Sequence, residues 1–138
     1  MVAFNKFNAF VEAIAEKKID LSADTLKVLL TNTAPTSANA VKADLTEIAA
    51  GNGYTAGGAQ ATQSSSAQTS GTYKLVIADV TFTATGAMAQ FRYAVLYSDT
   101  AANKDLIGFW DYGSALSLIS GDSFAVDFSD VNGVLTLA

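Results

Sequence analysis

From Thr25 onward the sequence is a succession of short apolar runs with a period of two, each closed by turn residues. A period of two sends successive side chains to opposite faces of a strand. Residues 25–31 put Leu26, Val28 and Leu30 on one face, and residues 123–129 put Phe124, Val126 and Phe128 inward with Ala125 and Asp127 outward. Residues 91–97 are apolar on both sides: Phe91, Tyr93, Val95 and Tyr97 on one, Ala94 and Leu96 beside Arg92 on the other. That pattern predicts a central strand covered on both faces. Residues 106–112 and 115–119 read as two strands meeting at Gly113, and Asn132-Gly133 reads as a tight hairpin turn before a last strand over 134–137. Residues 73–84 change face part-way. Tyr73, Leu75 and Ile77 are apolar at odd positions, Val80, Phe82 and Ala84 at even ones, so a strand pair or a bulged strand is expected with its switch at Ala78-Asp79. The fold class is therefore mainly β, an antiparallel sandwich or barrel of about seven short strands. No internal repeat is visible.

Residues 4–18 follow a different period. Phe4, Phe7, Phe10, Val11 and Ile14 fall on one helical stripe, with Lys6, Asn8, Glu12 and Glu16 largely elsewhere. This predicts an N-terminal amphipathic helix. Its stripe either packs on the sheet or enters a neighbouring subunit, and in the second case Phe4, Phe7, Phe10 and Ile14 are subunit contacts. Residues 32–39 read as a loop holding the single proline, Pro35. Residues 43–50 fit a short helical turn with Leu45 and Ile48 one turn apart, stopped by Gly51-Asn52-Gly53. Residues 51–72 are rich in Gly, Ser, Thr, Gln and Ala and hold no charged residue. Such composition suits a linker, but the flanking pieces do not each look like a domain. The expectation is one domain over 1–138, with 51–72 a long polar surface loop or irregular edge strand. A polar, uncharged segment suits wrapping over a neighbour, which makes Asn52, Tyr54, Gln60 and Gln63 further candidate contacts.

The chemistry available is narrow. The 138 residues are 50% hydrophobic and only 15% charged, which excludes a disordered chain. Eight Lys+Arg stand against 13 Asp+Glu, a net charge of -5. An acidic domain gains nothing from counterion release on DNA, so no nucleic-acid partner is expected. There is no Cys and no His, which removes thiolate nucleophiles, thiolate zinc sites, the commonest general base and the commonest metal ligand. Nothing approaches about 18 uninterrupted apolar residues, and the opening residues lack a basic region followed by an apolar one. No membrane partner is expected, and synthesis is expected in the cytoplasm. Asp105 with Asp111, or Asp127 with Asp130, offers carboxylate pairs of the kind glycoside chemistry uses in principle, but sequence spacing carries almost no information on that and surface solvation is the preferred reading. The 130–133 stretch lacks the oxygens and distal Glu of a calcium loop, and the glycines of 51–58 open no phosphate-binding helix. Phe109-Trp110-Asp111-Tyr112 has the aromatics of a sugar platform, but alternation places Phe109 and Trp110 on opposite faces. The sequence thus points to a non-enzymatic protein with no catalytic residue, cofactor or metal.

Three stretches carry a resemblance. They are Ala3-Phe4-Asn5-Lys6-Phe7-Asn8-Ala9-Phe10-Val11-Glu12-Ala13; the run from Asp24-Thr25-Leu26-Lys27-Val28 through Thr31-Asn32-Thr33-Ala34-Pro35 to Glu47-Ile48-Ala49-Ala50-Gly51-Asn52-Gly53-Tyr54; and Phe91-Arg92-Tyr93-Ala94-Val95-Leu96-Tyr97. Together they resemble a family of small virion structural proteins of tailed bacteriophages, often encoded among the head genes. The resemblance covers most of the chain outside 59–70. It implies a capsid decoration or cement protein on the capsid exterior, made in the host cytoplasm, that stabilises the head by bridging subunits of the phage major capsid protein as a homo-oligomer. It carries over no catalytic residue. A tail or neck structural component is the other structural role it leaves open, and a carbohydrate-binding host-attachment module using Trp110 is the alternative of a different class.

Overall fold

The strand that the sequence makes apolar on both faces stands at the middle of the largest sheet. In the computed structural model, which describes residues 2–138, the elements run β1 (Asn5–Lys6), α1 (Asn8–Ala15), β2 (Leu26–Thr31), β3 (Ala59–Ala61), β4 (Gln63–Thr69), β5 (Thr72–Ile77), β6 (Val80–Thr83), β7 (Phe91–Ser98), β8 (Leu106–Leu116), β9 (Ser123–Val126) and β10 (Leu135–Leu137). A short 3-10 turn spans Lys42–Asp44. The five-stranded sheet has the order β1-β8-β7-β2-β3, a three-stranded sheet β10-β5-β4 and a two-stranded sheet β6-β9. Every pairing is antiparallel, and no barrel closes.

The alternation of β2 divides the core. Leu26, Val28 and Leu30 join the main cluster with Ala94, Leu96, Ile107 and Trp110, which the two smaller sheets complete through Leu75, Ile77, Val80, Phe82, Val126 and Phe128. Leu29 points the other way, into a second cluster with Phe7, Val95, Tyr97 and Leu106, on which Leu45 and Phe109 pack. The large sheet is thus covered on both sides, which is why β7 has no polar face to spare. The inward residues expected in 123–129 are the ones buried or half-buried: Phe124, Val126 and Phe128, with Ala125 and Asp127 exposed.

Several elements depart from expectation. The helix is shorter than 4–18. Asn5 and Lys6 pair instead with Phe109 and Gly108 of β8, and Phe7 keeps an extended backbone before α1 begins. Lys17 adopts a positive φ of 61°, which ends the helix. The switch at Ala78-Asp79 is neither a bulge nor a strand pair. The chain leaves the three-stranded sheet after β5 and enters the two-stranded one at β6, with the Ala78 N–H donating to Thr62 O at 2.9 Å, at the corresponding passage between β3 and β4. β8 is continuous through Gly113, but between the pairs Tyr93↔Asp111 and Phe91↔Leu116 four of its residues stand against the single Arg92 of β7. The last strand does not form a hairpin after Asn132-Gly133, because β10 pairs with β5, which lies far back in the chain. The helical turn expected at 43–50 reduces to Lys42–Asp44. For the second half of 51–72 the edge-strand alternative holds: residues 59–61 form β3 and 63–69 form β4, each at a sheet edge, with a register shift between Gln63 and Ser65. With β1, these strands raise the number above seven.

Candidate interaction surface

Of the carboxylates singled out in the sequence, Asp111 is committed to an ion pair. Asp111 is gripped by Arg92 through two bonds, Nε–Oδ1 at 2.7 Å and Nη2–Oδ2 at 3.0 Å, and the Gly113 N–H donates to it as well. The guanidinium and this amide hold its carboxyl below the usual range, opposite to what a general acid requires. Asp105 is half-buried at an isolated bridge with Val41, and Asp127 and Asp130 are exposed. Among the described residues no three His, Cys, Asp or Glu side chains gather into a metal-holding group. Trp110 is 5% exposed, packed between Phe4 and Phe128 at centroid distances of 5.5 and 5.3 Å. It offers no face to a sugar. Phe109 packs on Phe7 at 5.1 Å on the other side of the sheet.

The residues singled out as contacts separate into core and surface. Phe7 and Phe10 are 0% and 2% exposed. The Phe4 ring lies over Gly108, where a Cβ would come within 2.1 Å of it. Phe7 and Phe10 are therefore used up in the protein's own core, while Phe4 is half-buried and packs on Gly108 and Trp110. Tyr54 is 2% exposed and belongs to a buried knot. Its hydroxyl accepts from the Leu30 N–H at 3.2 Å and donates to the Glu47 carboxylate. Glu47 also accepts from the Gly57 N–H at 2.6 Å, and the Tyr97 hydroxyl donates to Gly57 O at 2.6 Å. Burial, reinforced by the Glu47 carboxylate, pushes the Tyr54 hydroxyl far above its ordinary pKa. The knot takes up the N–H of Leu30 beyond the end of β3 and pins 47–58 over the sheet, so Tyr54 is structural. Asn52 is exposed in the Gly51–Tyr54 turn, and its Nδ2 donates to Ala87 O at 2.8 Å. Gln60 is exposed on β3. Gln63 is half-buried and donates to Leu21 O and Asp24 O at 3.1 and 2.8 Å.

What remains is a surface on the three-stranded sheet. β4 and β5 form a hairpin from Thr69↔Thr72 back to Gln63↔Ile77. Its turn residues Ser70 and Gly71 have φ of 52° and 86°, the two positive values of a type I′ turn, which suits the twist of paired strands. Ser66 and Tyr73 share one face of the hairpin and bond through their hydroxyls at 2.9 Å. Beyond them the sheet outruns the helix, leaving an open groove of about 280 Å³ whose walls include Ile14, Ile19, Leu21, Ser66, Tyr73 and Leu137. Ile14 of the predicted stripe thus meets β4 of the uncharged segment at one place. A larger depression of about 430 Å³ lies among Lys17, Lys18, Asp24, Thr100, Asn103 and Asp105, but Asp24 in it is held by Ser98 Oγ at 2.6 Å.

The sequence reading left 63–69 open between loop and irregular edge strand because both its faces are polar: Ser65, Ala67, Gln68 and Thr69 give no apolar alternation. The available signal was the Ser70-Gly71 dipeptide ahead of the alternating Tyr73-Lys74-Leu75. Comparison of the chain with models of known families, with curated proteins and with solved structures gives no match.

Proposed function

We propose that this chain is a non-enzymatic structural protein of the tailed-phage virion, a decoration or cement protein that sits on the capsid exterior and bridges major capsid subunits. The observation that carries the reading is the β4–β5 hairpin: a long exposed strand without charge, standing beside a largely apolar groove. The phrases shared with small virion proteins supply the particle. An acidic, DNA-indifferent surface suits the outside of a filled head better than its interior. The mode of action is added contact area. A protein that binds only the assembled shell stabilises it by mass action, and many weakly held copies add through multivalency.

The test is location and release. Antibody raised against the chain should label the outer face of heads in particles carrying its gene. Heads lacking the chain should assemble but open at a lower temperature, and adding purified protein should restore the loss. Label confined to the tail or neck, or heads equally heat-resistant without the chain, would overturn the capsid assignment.

A further inference from the structure

Edge strands expose unpaired N–H and C=O groups, and proteins blunt them with shortness, charge or proline. The other edges here are short: β1 has two residues, β3 and β10 three, β6 and β9 four. β4 has seven, Gln-Ser-Ser-Ser-Ala-Gln-Thr, with neither charge nor proline. Its only device is a register shift between Gln63 and Ser65, which leaves the run to Thr69 regular. In an antiparallel ladder, residues bonded to the partner alternate with residues whose N–H and C=O face away. Counted from the Thr69↔Thr72 pair that closes a two-residue turn, Ser66 and Gln68 face away from β5. No backbone bond reaches that side of β4 among the described residues.

We infer that this edge is filled by the same edge of a second copy: β4 pairs antiparallel with its counterpart across a two-fold axis normal to the sheet, joining the two three-stranded sheets into one. This rests on reading the chain as an interaction protein and not on where in a particle it sits. Self-pairing follows from the composition of the strand. About Ser66 its residues are nearly symmetric in kind: Ser65 with Ala67, Ser64 with Gln68, Gln63 with Thr69. A two-fold therefore sets small or uncharged polar groups opposite one another in either direction, as an isologous contact requires. β4 itself carries no charge, the nearest cross-strand one being Lys74 of β5 opposite Ala67, so pairing β4 with its copy sets no like charges directly opposite one another. A charged foreign strand would find no counter-charge on β4, and an apolar one would find on the strand itself a single apolar side chain, that of Ala67. The two-fold also keeps the half-buried faces of both hairpins on one side, so Ser66 and Tyr73 of each copy lie on one surface.

The experiment uses the whole purified chain, measured by sedimentation equilibrium up to about 1 mM, a range that detects association worth only about 4 kcal/mol. The wild type should form a dimer, twice the 14.3 kDa of one chain. Ser66→Pro removes an outward N–H without touching the ladder to β5, and Ala67→Lys places like charges beside the axis. Each should give a monomer with an unchanged circular dichroism spectrum. Val131→Lys, at an 80% exposed position outside the hairpin, alters the charge equally and should leave the dimer intact. A wild type that stays monomeric throughout overturns the inference, as does a folded Ala67→Lys variant that still dimerises. The outcome separates from the capsid assignment: a monomer that still decorates heads removes the pairing alone, while a β4-dependent dimer that ignores heads removes the capsid role alone.

Discussion

Replacing Tyr54 by Phe removes one oxygen from the buried knot and tests whether that knot fastens 47–58 to the sheet. The hydroxyl serves two partners, accepting from the Leu30 N–H and donating to Glu47. A hydrogen bond to a charged group contributes about 1.5–3 kcal/mol, and a buried N–H left without a partner costs about 1–3 kcal/mol. The two overlap, because Glu47 keeps the Gly57 N–H. The expected loss is about 2–4 kcal/mol, a large share of an ordinary stability of about 5–15 kcal/mol. With a mid-range urea slope of about 2 kcal/mol/M, the unfolding midpoint should fall by about 1–2 M at unchanged slope. Tyr97→Phe, which loses a single bond to Gly57 O, should cost only about 1 kcal/mol. The double variant should lose less than the sum, since both hydroxyls act on the same loop. A Tyr54→Phe loss below about 0.5 kcal/mol would mean that water reaches the Leu30 N–H in the variant, and the fastening role would be refuted.

Three other perturbations probe the register, the close approaches and the charges. Val126→Ala should cost about 1–3 kcal/mol and Phe124→Ala about 3 kcal/mol, less than a fully buried ring, while Asp127→Ala stays within about 0.5 kcal/mol; equal harm from Asp127→Ala in thermal melts would show the register of β9 to be wrong. Gly58→Ala should be far more damaging than Gly71→Ala, although both have positive φ (84° and 86°), because a Cβ on Gly58 would lie 1.8 Å from Val28 O whereas one on Gly71 meets nothing within 4 Å; comparable melting temperatures would refute the difference. Acid should destabilise the protein: Lys104 and Lys27 hold Asp99 below its ordinary value, as Arg92 holds Asp111. A lowered folded pKa means that the unfolded chain binds more protons, so stability is whole above about pH 4 and drains as pH falls towards the folded values. Urea midpoints between pH 7 and pH 3 check this, and Asp99→Asn should flatten the decline; a midpoint that holds or rises on acidification would contradict it.

The strands were legible wherever one face is apolar and the other is not, as in 26–30 and 123–128, because a one-residue slip there exposes the whole core face. The doubly apolar 91–98 was legible for the complementary reason. What stayed hidden was pairing between distant segments. Periodicity at 4–14 describes a stripe but not the point where a helix starts. Phe7 serves the second cluster and Phe10 the main one, and reaching both faces of the large sheet demands an extended residue between β1 and α1. The switch at Ala78-Asp79 was seen as a change of face, yet nothing local distinguishes a bulge from passage to another sheet. Of the candidate contacts, Ile14 reached the groove and Gln63 the hairpin beside it, while Phe7, Phe10 and Tyr54 were absorbed by packing and Phe4 stayed half-buried against Trp110. Aromatic residues at regular spacing mostly supply buried area, and Tyr54 lay in a run whose glycines concealed that it closes over β2.

The division of labour within the hairpin bears on why its outer strand is so plain. β5 anchors it through Leu75 and Ile77, both 0% exposed. β4 gives the core no residue buried to that degree: from Ser64 to Ser70 only Ser66 is half-buried and the rest are exposed. Folding therefore places few demands on these positions, and a lysine or proline among them would guard the edge at small cost to the native state. Uncharged Ser, Ala, Gln and Thr in their place keep the edge open in a chain that closes its other edges by brevity. An open edge is a hazard in isolation and useful only where a matching strand waits for it. If contact rather than stability explains the sequence of this strand, Ala67→Lys should leave folding intact while abolishing association, and that pair of measurements decides between the two.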